Sequence, residues 1–138
     1  VATGGTAYVQ TTRITMTAVL VSLALGMLAV AVLVANNLRD IPGDTVSGKR
    51  TLAVVLGDRR TRAAYAGCLV IAFLVPVAIA ARDGVAALLP WLVLPLAWHA
   101  LQPVRTGAVG PALIPCLKWT GLVALAYAVT TAVGLTVA

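Results

Sequence analysis

Apolar residues run in four long stretches along this chain, and the polar residues collect between them. The first stretch covers about residues 14–38 and is led by TAVLVSLALGMLAVAVLVA. The second, about 63–81, reads AAYAGCLVIAFLVPVAIAA and is expected to kink at Pro76. The third, about 85–101, carries Pro90 and Pro95, which predict a short, bent span. The fourth covers about 117–138. Each is near the ~20 residues that a hydrocarbon layer of ~30 Å requires. The pattern therefore predicts four full transmembrane helices. The opening residues, VATGGTAYVQ, read as the end of a fifth span already under way. They lack a charged leader and do not look like a signal peptide. The chain is thus expected to be the C-terminal part of a longer protein.

Composition supports the same class. Hydrophobic residues make up 61% of the chain and charged residues only 10%, against about a quarter charged in a soluble domain. Such a chain cannot cover its own surface with polar groups, so lipid must, and the fold class is an all-α integral membrane helical bundle. A net charge of +6 raises the possibility of a nucleic-acid partner, but the basic residues sit in the gaps between apolar runs. That is how topology determinants are distributed, and no nucleic acid is expected. Arg39, Lys49, Arg50, Arg59, Arg60, Arg62, Arg105 and Lys118 fall on one side, with Arg13 and Arg82 on the other. The excess predicts that the loops 36–62 and 102–118 face the cytoplasm, in the cytoplasmic cell membrane. Cys68 and Cys116 lie in apolar surroundings and read as small buried hydrophobes.

The chemistry concentrates in NNLRDIPGDTVSGKRTLAVVLGDRRTR, residues 36–62, which holds three of the four acidic residues. If the first helix runs to Asp40, then Asn36 and Asn37 share its face. Pro42-Gly43 is expected to break the helix there, and the turn to swing Asp44 back toward Asp40. Two carboxylates held together repel, and a cation between them relieves the repulsion. Oxygen-only ligands favour a hard ion, and Mg2+ is typically held by one or two carboxylates plus substrate phosphates. Lys49 and Arg50 follow as donors for phosphate oxygens, and Gly48 is expected to let the backbone approach closely. The catalytic and metal-ligating candidates are therefore Asp40 and Asp44, and the substrate-binding candidates are Asn36, Asn37, Lys49 and Arg50. On residue types alone, an ordinary polar loop with solvated acids fits equally well.

Other residues in the loop read more plainly. Thr51 either supplies a hydroxyl to the site or caps the stretch that follows it. Asp58 is expected to be an N-cap, and Arg59, Arg60 and Arg62 to be topology anchors. Trp91 and Trp119 suit an interfacial aromatic belt. His99 reads as a packed or interfacial histidine, whereas Tyr8, Tyr65 and Tyr127 are open candidates for lining a cavity.

The string NNLRDIPGDTVSGKRTLAVVLGD resembles the second aspartate-rich motif of the UbiA-type membrane prenyltransferases, D-x-x-x-D-x-x-x-G-K-x-T-L-A-V-x-L-G. The likeness runs through the whole chain, Tyr8-Val9-Gln10 included. The NNLRDI lead and GKRTLAV tail are most similar to the branch that prenylates 1,4-dihydroxy-2-naphthoate in menaquinone synthesis. The resemblance implies a nine-helix bundle whose central cavity is lined by two facing aspartate-rich motifs. Asp40 and Asp44 match the second motif, and the first has no counterpart here. The partners it implies are polyprenyl diphosphate, 1,4-dihydroxy-2-naphthoate, the lipid bilayer and the N-terminal half of the same protein. It implies Mg2+ gripping the diphosphate as a leaving group. Another aromatic or phosphosugar acceptor is the nearest alternative. A transporter fragment is a more distant one, disfavoured because the acids lie outside the spans.

Overall fold

The computed structural model describes Gly5 and residues 15–137. Among these residues every regular element is helical. Helix α1 covers Met16–Val46, the short α2 Leu52–Leu56 and α3 Asp58–Asp83. A 3-10 segment, Val85–Val93, runs straight into α4, Leu94–Arg105. A 3-10 turn, Gly110–Leu113, leads into α5, Ile114–Val137. Four units are long and apolar enough to cross a membrane: Met16–Val46, Asp58–Asp83, Val85–Arg105 and Gly110–Val137. The expected all-α membrane bundle is present, including a third span that begins as 3-10 helix around Pro90. The expected tail of a preceding span, with Tyr8-Val9-Gln10, lies outside the described residues except for Gly5, as does Arg13.

Helix α1 packs on α3 and α5 through Ala24, Leu28, Ala31, Ala35 and Leu38, all buried. Their spacing of three, four and seven residues sets them on one face. The alanines let neighbouring backbones come close, which is how helices associate where lipid removes the hydrophobic drive. Close approach is tightest at Gly134 of α5, where an added Cβ would meet the Ala86 carbonyl oxygen at 2.6 Å.

Among the described residues the buried polar side chains all have partners, and some of these bonds join one helix to another. Pro76 sits inside α3 and cannot donate to the carbonyl one turn back, on Ala72. The Tyr127 hydroxyl donates to that carbonyl at 2.7 Å. The neighbouring Phe73 carbonyl accepts from the Trp91 indole at 3.0 Å. Tyr65 pairs with Thr120 at 2.6 Å. Both described tyrosines therefore join helices rather than line an open cavity. Cys68 and Cys116 are buried and free, as expected.

Two local expectations are corrected. Helix α1 does not break at Pro42-Gly43 but continues to Val46. Proline removes one donor, yet the turn beyond keeps its bond from the Ser47 N–H to the Gly43 carbonyl, 2.9 Å. The stop comes at Gly48, whose φ of +71° closes a Schellman motif: Gly48 N–H to Thr45 O at 3.3 Å and Lys49 N–H to Asp44 O at 2.9 Å. That left-handed turn is what Gly48 supplies. Asp58 is not the cap of α3. Gly57 holds that position, and Asp58 lies in the first turn, where its charge suits the helix dipole and it pairs with Arg62. Thr51 is settled as a cap, its hydroxyl accepting from the Val54 N–H at 3.4 Å.

Candidate functional site

With 31 residues, α1 is about 46 Å long at 1.5 Å per residue, well beyond a ~30 Å hydrocarbon layer. Its apolar run ends at Ala35, so the polar end, 36–46, stands beyond the membrane-spanning part. The face of α1 opposite its packed face leaves Met16, Val19, Leu23, Val30 and Leu33 exposed. The same stripe continues through Asp40 and Asp44, seven and eleven residues beyond Leu33. The helix that failed to break therefore brings the two acids together by its own periodicity, one turn apart on one face.

Asp40 and Asp44 border a recess of about 600 Å³ between the end of α1 and the turn at Gly110 and Pro111. Asp44 is the better shielded of the two, its side chain 14% exposed against 43% for Asp40. The Arg39 guanidinium grips Asp40 through both carboxylate oxygens, at 2.7 and 3.0 Å. That grip holds the Asp40 carboxyl below the usual carboxylate range, so it stays ionised at neutral pH. Lys49 lines the same recess, with its ammonium 3.9 Å from an Asp44 oxygen. The Schellman bond between their backbones fixes that proximity.

Of the six candidates, the recess thus gathers Asp40, Asp44 and Lys49. Arg50 is exposed and is not among the lining residues. Asn37 lines a separate, narrow groove with Leu52 and Thr61. Asn36 is half-buried and borders neither. Among the described residues no three His, Cys, Asp or Glu side chains cluster as a complete metal site. Two carboxylates one turn apart, open to a recess, are the donor set of an ion that takes further ligands from water and phosphate.

Arg39 and Arg62 are the residues that sequence reasoning undervalued. Arg39 sits in the recess wall. Arg62 is tied to Asp58 at 2.7 and 2.8 Å. It also donates to the Val104 carbonyl at 2.8 Å and the Ala108 carbonyl at 2.7 Å. The Asp58–Arg62 pair was legible as an i,i+4 spacing, but the two carbonyls lie 42 and 46 residues away.

Comparison with known proteins gives the family. The model of the UbiA prenyltransferase family matches residues 1–108. Over 138 residues the chain is 42% identical to the 1,4-dihydroxy-2-naphthoate octaprenyltransferase of Mycobacterium leprae (strain TN), covering 100% of this chain and 47% of that protein. The protein of the same name from Mycobacterium tuberculosis (strain ATCC 25618 / H37Rv) is 43% identical over 137 residues, 96% of this chain and 45% of the relative. That from Escherichia coli (strain K12) is 40% identical over 90 residues, 65% of this chain and 29% of the relative. The chain spans about half the length of the two mycobacterial relatives. No solved structure matches. The chain belongs to the UbiA prenyltransferase family.

Proposed function

We propose that this member of the UbiA family, within the intact protein, transfers a polyprenyl group from polyprenyl diphosphate to 1,4-dihydroxy-2-naphthoate. The observation that carries the reading is the pair Asp40 and Asp44, set at the polar end of an exposed apolar stripe with Lys49 beside them. A polyprenyl diphosphate has the same layout, a long hydrocarbon ending in a dense anion. The names of the mycobacterial relatives supply the acceptor class.

In this reading Asp40 and Asp44 hold Mg2+, which when bound offsets the charge of the departing diphosphate. Lys49 stabilises charge developing on the leaving oxygens more than the ground state. Arg50 meets the diphosphate only if the loop closes over it, and Asn36 and Asn37 stand outside the recess. The allylic carbon–oxygen bond breaks and a ring carbon of the acceptor attacks the allylic carbon. Loss of CO2 from the carbon attacked then returns its electron pair to the ring. The exposed stripe of α1 lies along the prenyl tail and keeps water from the cation. Further metal ligands would come from the diphosphate, from water and from the other aspartate-rich motif of the intact protein. The eight-to-two bias of basic residues supports a cytoplasmic position for this end.

An acceptor panel on the intact protein, with one prenyl diphosphate and Mg2+, tests this. Prenylation of 1,4-dihydroxy-2-naphthoate with CO2 release is expected. Prenylation of a benzoate or a phosphosugar instead would overturn the acceptor assignment, and no transfer to any acceptor would overturn the reaction class.

A further inference from the structure

The wall of the recess facing Asp40 and Asp44 is the segment that joins α4 to the start of α5. It follows α4, contains Gly107 with φ +80° and Gly110 with φ +57°, and delivers Gly110, Pro111 and Ile114 to the recess. Two glycines in left-handed conformation give such a segment many alternative paths in the absence of restraint. Its own backbone bonds are local: Thr106 N–H to Gln102 O, Ala108 N–H to Pro103 O and Ala112 N–H to Val109 O. Among the described residues, the hydrogen bond that ties residues 106–113 to another helix is the one from Arg62 to the Ala108 carbonyl. A second arm of the same guanidinium takes the Val104 carbonyl, at the end of α4, where a cation also suits the helix dipole.

The geometry points to Arg62 as a positioning residue of the diphosphate recess. From α3 it pins the loop that forms the wall opposite the acid pair. The guanidinium fork is suited to the task because one rigid plane reaches two carbonyls and a carboxylate at once. Asp58 holds the fork in place through both its oxygens. The charge is thereby neutralised within α3 itself, so Arg62 acts through the loop and not on the diphosphate. A lysine in its place keeps the charge but reaches one carbonyl rather than two.

This inference rests on the diphosphate reading of the recess, and its test separates the two. Arg62→Ala and Arg62→Lys are made in the intact protein, and hydrogen exchange of peptides covering 105–113 and 16–46 is measured beside donor and acceptor KM. The expected result is faster exchange confined to 105–113 in both variants, greater for alanine. The KM for prenyl diphosphate is expected to rise about tenfold in Arg62→Ala, with the acceptor KM within about twofold of wild type, the signature of roughly one lost positioning contact. Unchanged exchange in 105–113 for the folded Arg62→Lys variant would overturn the pinning. Faster exchange with both KM values unchanged would overturn the positioning role. A wild-type protein that turns over no prenyl diphosphate would instead remove the functional reading, and the exchange result would still decide whether Arg62 holds the loop.

Discussion

Pro42 and Pro76 lie inside the two longest helices, and they are accommodated in opposite ways. Pro76 sits at membrane depth in α3, fully enclosed, and the carbonyl it leaves without a donor is taken by Tyr127 from another helix. Pro42 sits on the exposed polar end of α1, in the wall of the recess, between the two acids. Where no water reaches, every freed backbone group needs a partner from the protein, and the cost of failing is several kcal/mol. At the polar end water can donate to the freed carbonyl, so the same residue type is free to shape a binding site. One proline is absorbed into packing, and the other stands in the chemistry.

The comparison is broken most directly at the polar end. Asp40→Asn and Asp44→Asn in the intact protein are each expected to lower prenyl transfer by more than the about 10–100-fold that losing an outer-shell partner of a metal costs, with the thermal transition unmoved. Removing Mg2+ with a chelator is expected to do the same, and adding Mg2+ back to restore turnover. Activity of either variant within a few-fold of wild type would detach the acids from the reaction.

The packed end is expected to answer in the opposite currency. Gly134→Ala forces a methyl group against the Ala86 carbonyl and should destabilise the bundle by about 1–3 kcal/mol, as overpacking does. Tyr127→Phe leaves the Ala72 carbonyl beside Pro76 without its donor and should cost about 0.6–1.7 kcal/mol, the range of interhelical bonds in membranes. Thermal unfolding in detergent reads both losses, while KM and kcat of the surviving folded protein should hold. A Tyr127→Phe protein with an unchanged transition would show that Pro76 needs no cover.

The smallest effect is reserved for Lys49. Because its ammonium is largely exposed and 3.9 Å from Asp44, Lys49→Ala should raise the donor KM about tenfold, about one charge-assisted hydrogen bond. It should leave the acceptor KM alone. An unchanged donor KM would take Lys49 out of the clamp.

Much of this contrast was legible in the sequence because apolar run length reports directly on membrane crossing. The pairing of Asp40 with Asp44 was legible too, though for a different reason from the one expected. The chain has two stop signals, Pro42-Gly43 and Ser47-Gly48. A proline in the last turns of a helix removes only one bond, whereas Gly48 completes two. The periodicity of an unbroken helix then does what a turn was expected to do. Arg50 and Asn37 were placed by proximity in sequence, but the Schellman turn directs the chain away after Lys49, and Asn37 borders the groove beside α2. Arg62 was hidden because its partners are backbone carbonyls on a distant loop, and no side-chain pattern announces a carbonyl. The partner of Pro76 was hidden for the same reason: Tyr127 is 51 residues away and finds its acceptor only through the packing of α5 on α3.

The most direct measurement is calorimetric titration of the intact protein with an unreactive thio-analogue of polyprenyl diphosphate, with and without Mg2+, in wild type and in Asp44→Asn. The account expects binding in wild type only when Mg2+ is present, and loss of that Mg2+-dependent binding in the variant. Equal affinity and equal Mg2+ dependence in Asp44→Asn would contradict the claim that this helix end holds the diphosphate.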